Sequence, residues 1–135
     1  MEIERAAFPR APYTRRMFLH LHRKCPDLFV AATRARKILG YMSTCAGPKN
    51  AEIVSIAVDP EWRQLGVGTL LMEHTLARLR TRRVRSVELM VRTTSQAVRF
   101  YRRFRFTRLR TVARYYEDGA PAYHMRRGLR APRLI

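Results

Sequence analysis

AEIVSIAVDPEWRQLGVGTLLM, residues 51–72, is the stretch around which the chain is organised. Ile53 to Val58 is a run of β-branched and small apolar residues bounded by turn signals, which predicts a buried strand. Asp59-Pro60 ends it, because proline cannot donate to a ladder and biases the residue before it away from helix. Gly66 and Gly68 follow, and then apolar residues at helical spacing, Val67, Leu70, Leu71, Leu76 and Leu79. The order is therefore strand, glycine loop, helix. Such a loop lets backbone N–H groups approach an anion, and the helix N-terminus adds positive potential. A phosphate is the expected guest. A P-loop requires Lys and Ser/Thr directly after its last glycine, whereas Gly68 is followed by Thr69 and Leu70. A dinucleotide fingerprint requires a third small residue where Leu71 stands, although Glu88 lies at a plausible distance for a ribose contact.

Arg63-Gln64-Leu65-Gly66-Val67-Gly68 resembles the Gln/Arg-x-x-Gly-x-Gly/Ala signature of the GNAT acetyltransferases. Asp59-Pro60-Glu61-Trp62-Arg63 is similar to the family's lead-in to that loop. Arg114 to Tyr123 is similar to the region before the last strand in RimI-like and archaeal N-terminal acetyltransferases. The resemblance spans nearly the whole chain and implies one α/β domain, residues 1–135, with a central mixed, mostly antiparallel sheet and flanking helices. It also implies acetyl-CoA as cosubstrate and no metal. The pyrophosphate would lie on Arg63, Gln64, Leu65, Gly66, Val67, Gly68 and Thr69, and the pantetheine arm would pair with Ile56, Ala57 and Val58. Thr94 stands where the family usually carries Asn near the cofactor. By the same resemblance Tyr101 is the general acid beside the CoA sulfur, and Phe8, Pro9, Tyr13, Tyr115 and Tyr116 line the slot for a peptide N-terminus. Glu52 is the best candidate for the base, since Ala51 to Val54 is similar to the strand bearing the catalytic Glu in the histone acetyltransferase branch. RimI-like enzymes carry a Glu on the next strand, where this sequence has Leu89 or Met90.

Lys and Arg number 28 against 10 Asp and Glu, a formal net charge of +18, with lysine only at positions 24, 37 and 49. That excess predicts attraction to RNA, ribosomes or acidic surfaces; a general preference for Arg over Lys explains it equally well. A cationic small-molecule substrate such as a polyamine is disfavoured by the same charge. Cys25 and Cys45 make neither a metal-ligand spacing nor a disulfide framework, which fits a reducing, cytoplasmic setting. No apolar run is long enough to span a membrane, and no signal peptide is evident.

Along the chain, Met1 to Ala7 resembles the end of the family's first helix, so the first edge strand is expected to be missing. Leu28–Thr33 would then be a bare edge inviting self-association. Thr14 is placed to cap a helix to about Leu21. Leu28–Thr33 and Ile38–Cys45 should form a hairpin across the Arg34–Lys37 turn. Ser86–Val91 reads as the strand beside the central one, and Thr93-Thr94-Ser95-Gln96 as a capping box opening a helix with Ala97, Val98 and Tyr101 inward. Arg105 stands where the family places Gly, at a left-handed helix end, a cost of about 1 kcal/mol. About 108–114 and 122–127 should be the last two strands, joined through Glu117-Asp118-Gly119. These readings point to an N-terminal acetyltransferase. The alternatives are a GNAT-fold module that binds RNA or the ribosome, and an acetyltransferase acting on lysine or small-molecule amines.

Overall fold

The computed structural model describes residues 2–5 and 28–129. Its strands are β1 (Glu2–Arg5), β2 (Leu28–Arg34), β3 (Lys37–Ala46), β4 (Asn50–Val58), β5 (Ser86–Arg92), β6 (Thr107–Val112) and β7 (Ala122–Gly128). Two α-helices, α1 (Val67–Thr81) and α2 (Ala97–Arg103), flank them, and a single 3₁₀ turn covers Pro60–Trp62. The strands make one sheet in the order β1-β2-β3-β4-β5-β7-β6. β4 and β5 are parallel and every other neighbouring pair is antiparallel. The mixed, mostly antiparallel sheet thus matches the expectation from sequence.

Alternation along β2 explains its burial on both faces. Leu28, Val30 and Ala32 join the main core, while Phe29 and Ala31 pack with Tyr41 on the other side. α1 turns Val67, Leu71, Met72, Leu76 and Leu79 into that main core. Gly40 on β3 lets it come close: a Cβ there would lie 2.8 Å from the Ala57 carbonyl oxygen and 3.2 Å from Val67. After α1 the chain returns as β5, crosses back as α2, and inserts its last strand between β5 and β6.

Four details depart from the sequence reading. Glu2–Arg5 is not a helix end but a short strand, paired antiparallel with Val30–Thr33. The first edge strand is therefore present, and the bare β2 edge on which self-association rested is covered there. The capping box does not form: the helix begins at Ala97 with Gln96 as an N-cap that makes no side-chain bond, and the Ser95 hydroxyl, not a Thr, accepts from the Ala97 N–H at 3.1 Å. Cys45 is disulfide-bonded, against the expectation of unpaired thiols. β6 stops at Val112, two residues short of its expected end, because the Arg114–Gly119 segment turns on itself through Tyr115 and Tyr116 N–H bonds to the Ala120 carbonyl. Arg105 does adopt the left-handed conformation that its position demands, at φ +67°. The predicted helix from Thr14 and the residues Phe8, Pro9 and Tyr13 lie outside the described residues. Among the described residues, no helix is long and apolar enough to cross a membrane.

Candidate active site

β4 and β5 share a ladder over only three pairs, Asn50 with Ser86, Ala51 with Val87 and Glu52 with Glu88. Beyond them the two strands part. β3 keeps its pairing with β4 as far as Gly40 opposite Val58. On that side the register slips: Ser43 opposes Ser55 and Thr44 opposes Ile53, leaving Val54 as an extra residue. A bulge of this kind bends a strand and increases its twist, which turns the end of β4 away from β5. From Ile53 to Val58 the β5-facing backbone groups are consequently left without a strand partner. A groove of about 350 Å³ opens there, walled by Ile53–Ile56 and Leu89–Arg92, with Tyr101 and Tyr116 bordering it.

The glycine loop stands at the open end of this groove, where β4 ends. Asp59 donates its N–H to the Leu39 carbonyl at 2.7 Å, and its carboxylate accepts from the Glu61 N–H at 3.0 Å, so the chain leaves the sheet in a fixed turn. Gln64 and Gly66 both take positive φ, +64° and +87°. At Gly66 that conformation is the reason for the glycine. Gly68 serves packing instead, since a Cβ would sit 3.3 Å from the Phe100 ring. The first intrahelical bond runs from the Leu70 N–H to the Gly66 carbonyl. The N–H groups of Val67, Gly68 and Thr69 therefore head a fifteen-residue helix with no side-chain cap, which suits an anion. Leu65 and Thr69 are exposed beside them, and Arg63 reaches the Val58 carbonyl with its Nε at 3.4 Å.

Tyr101 is buried, packed edge-on against Phe100 and Phe106, yet it borders the groove. Burial, and then the neighbouring Tyr116, push its phenol up to about 12. It is a neutral proton donor at any physiological pH. Tyr116 is half-buried and its phenol is also raised by burial and by Tyr115, while Arg92 opposes the shift. The Arg92 guanidinium lies 4.3 Å from the Tyr116 ring centre and donates to Asp118 at 2.8 Å. The Asp118 carboxyl is held below its ordinary range by the Ala120 N–H and by Arg92. Tyr115 packs edge-on against Tyr116 and remains exposed.

The structure thus brings together Ile56, Tyr101 and Tyr116 around one groove and sets the loop at its open end. Glu52 is exposed at the closed end, on the last pair before the strands part, opposite Glu88. Glu88 is engaged by His124 at 3.3 Å. Leu89 and Met90 wall the groove, so no carboxylate stands at the RimI-like position. Thr94 is exposed on the loop before α2, and Ser95 borders the groove in its stead. Arg92 and Asp118 were missed from sequence, because residues 26 apart meet only through the β5–β7 pairing. Among the described residues no cluster of three or more His, Cys, Asp or Glu could hold a metal.

Comparison with known proteins agrees with this geometry. The model of the acetyltransferase (GNAT) domain matches residues 11–129. An uncharacterised N-acetyltransferase of Methanocaldococcus jannaschii is 34% identical over 127 residues, covering 92% of this chain and 80% of that protein. An N-alpha-acetyltransferase of Sulfolobus acidocaldarius is 38% identical over 79 residues, 57% of this chain and 47% of that protein, so the match spans about half of that relative. The crystal structure of Ard1 from Thermoplasma volcanium superposes with a TM-score of 0.81 at 35% identity, covering 87% of this chain and 80% of that one.

Proposed function

We propose that this chain, which belongs to the GNAT acetyltransferase family and is an acetyltransferase, uses acetyl-CoA to acetylate the free α-amine of a protein N-terminus. The observation that carries the reading is the unpaired edge of β4 opening between the glycine loop and the neutral Tyr101 phenol. The loop N–H groups from Val67 to Thr69, with Arg63, Gln64 and Leu65, bind the pyrophosphate, and Ile56 to Val58 pair with the pantetheine arm. Glu52, directly or through a water, takes the proton of the incoming ammonium. A backbone N–H near Val58 donates to the thioester carbonyl oxygen as the amine attacks its carbon. As the C–N bond forms and the C–S bond breaks, Tyr101 supplies a proton to the departing sulfur.

An N-terminal amine fits this donor set better than lysine. With pKa values of about 7.7–8.0 against about 10.4, lysine costs roughly 3 to 4 kcal/mol more to deprotonate near neutral pH. The groove walls offer no carboxylate for that task, and Glu52 is exposed. Tyr116 at the groove, with Tyr115 packed against it, receives the first residues of a chain, and N-termini of ribosomal proteins or nascent chains suit a chain of net charge +18. Peptides carrying both an α-amine and an internal lysine decide the matter by mass spectrometry. The expected product is acetylated at the α-amine; acetyl groups found mainly on lysine would overturn the assignment.

A further inference from the structure

At the other end of the sheet four arginines converge. α1 and α2 both run from the open end of the groove back toward the end where β4 and β5 are paired, and β7, antiparallel to β5, finishes there. Their ends enclose a cleft of about 400 Å³ bordered by Arg80 of α1, Arg103 at the end of α2, Arg105 just after it, and Arg127 of β7, with Phe104 and Glu73 beside them. No carboxylate among the described residues lies within ion-pair distance of any of the four, so the one acid at the cleft leaves a net excess of three positive charges. Burial, then Arg80 and Arg105, lower the affinity of Arg127 for its own proton, as expected of cations held close together with no ion-pair partner. Arg105 moreover occupies a left-handed position, φ +67°, which favours glycine. Arg80, Arg103 and Arg105 are exposed and Arg127 is half-buried, so the guanidinium groups are open to a ligand.

We infer that this cleft binds the phosphodiester backbone of RNA. Arginine presents a planar fork matched to phosphate oxygens, and four such forks make a phosphate-selective site. The choice of RNA rests on the proposed action at N-termini of ribosomal or newly made chains. The cleft is distinct from the cofactor loop: α1 is fifteen residues long, about 22 Å, and the two lie toward its opposite ends.

The test is fluorescence anisotropy of a labelled single-stranded RNA 12-mer with the whole chain, free of acetyl-CoA, at several salt concentrations. Arg80→Gln with Arg105→Gly is compared with Arg34→Gln with Arg36→Gln at the β2–β3 turn, an equal loss of charge. The cleft pair should weaken binding at least about tenfold and reduce the salt slope by roughly 1.4, about 0.7 for each lost phosphate contact. The turn pair should change affinity less than about threefold. Equal losses in both variants, or a wild-type chain that does not bind RNA, would overturn the inference. A preference for the DNA strand of the same sequence would overturn the assignment to RNA. Affinity for CoA that falls in the cleft variant, with dephospho-CoA unaffected, would reassign the cleft to the cofactor's 3′-phosphate. None of these readouts requires peptide acetylation, so they stand or fall apart from the proposed activity.

Discussion

Asn50–Glu52 and Ile53–Val58 belong to one strand, but the first is paired on both sides and the second on one side only. Propensity does not explain the difference, since Asn50-Ala51-Glu52 is the poorer β-former of the two and yet the half paired on both sides. What differs is the extra residue at Val54 and the divergence of β5 past Glu88. Sheet stability is given up over six residues, and a row of unpaired N–H and C=O groups is left beside a glycine loop and a buried phenol. An open strand edge is a hazard when bare; in the proposed function it is the surface on which the pantetheine arm pairs.

The largest effect follows from breaking the loop that feeds the open half. Gly66→Val forces a β-branched residue into φ +87° and should abolish stabilisation by CoA, which for the wild type at a hundredfold excess over Kd is about 2.7 kcal/mol. Hydrogen exchange sharpens the same contrast. CoA should slow exchange at amides within Ile56–Val58 and leave Asn50–Glu52 unchanged, since the latter are already paired on both sides. Equal protection of both halves, or CoA stabilisation that survives in Gly66→Val, would remove the open edge from the cofactor site.

Tyr101→Phe comes next. A general acid acts in the transition state, so kcat should fall by roughly 10² to 10⁴-fold with little change in the KM for acetyl-CoA. A loss confined to KM would make the phenol a binding group and leave the open half with pairing alone to offer.

Sequence carried the local elements further than the contacts between them. Ile53–Val58, the Asp59-Pro60 break and the helix from Val67 were legible because each rests on a local rule, periodicity or backbone restriction, that neighbours within a few residues enforce. Arg105 at φ +67° was legible for the same reason. The Val54 bulge was not, because it is a mismatch between two strands and leaves no trace in either one alone. Arg92 with Asp118, and the Arg80–Arg127 cleft, arise from strand order, which places residues distant in sequence side by side. The Glu2–Arg5 strand was misread because four residues carry too little pattern to tell a helix end from a strand; its partner on β2 decides it.

The smallest expected effect concerns the two buried tyrosines that bracket the comparison. Tyr41, on β3 at the paired side, shares a hydrogen bond with the Ser55 hydroxyl at 2.9 Å. Tyr101, at the open side, has no side-chain hydrogen bond to a described residue and is raised from 10 to about 12, chiefly by burial. The folded state therefore favours the neutral phenol over the phenolate. Because the folded pKa lies above the unfolded one, this contribution is fully present below about pH 10 and is lost as pH climbs toward about 12. The loss across that window is on the order of 2 to 3 kcal/mol. Phenylalanine has nothing to ionise, so Tyr101→Phe should lose less stability than the wild type between about pH 9.5 and 11.5, read from urea midpoints. Some loss will persist in the variant, since burial raises Tyr116 as well and Arg92 offsets only part of it. Parallel curves for the two proteins would mean that water reaches the Tyr101 hydroxyl freely, and a proton donor solvated in that way could not be the neutral, desolvated acid that the open half of β4 requires.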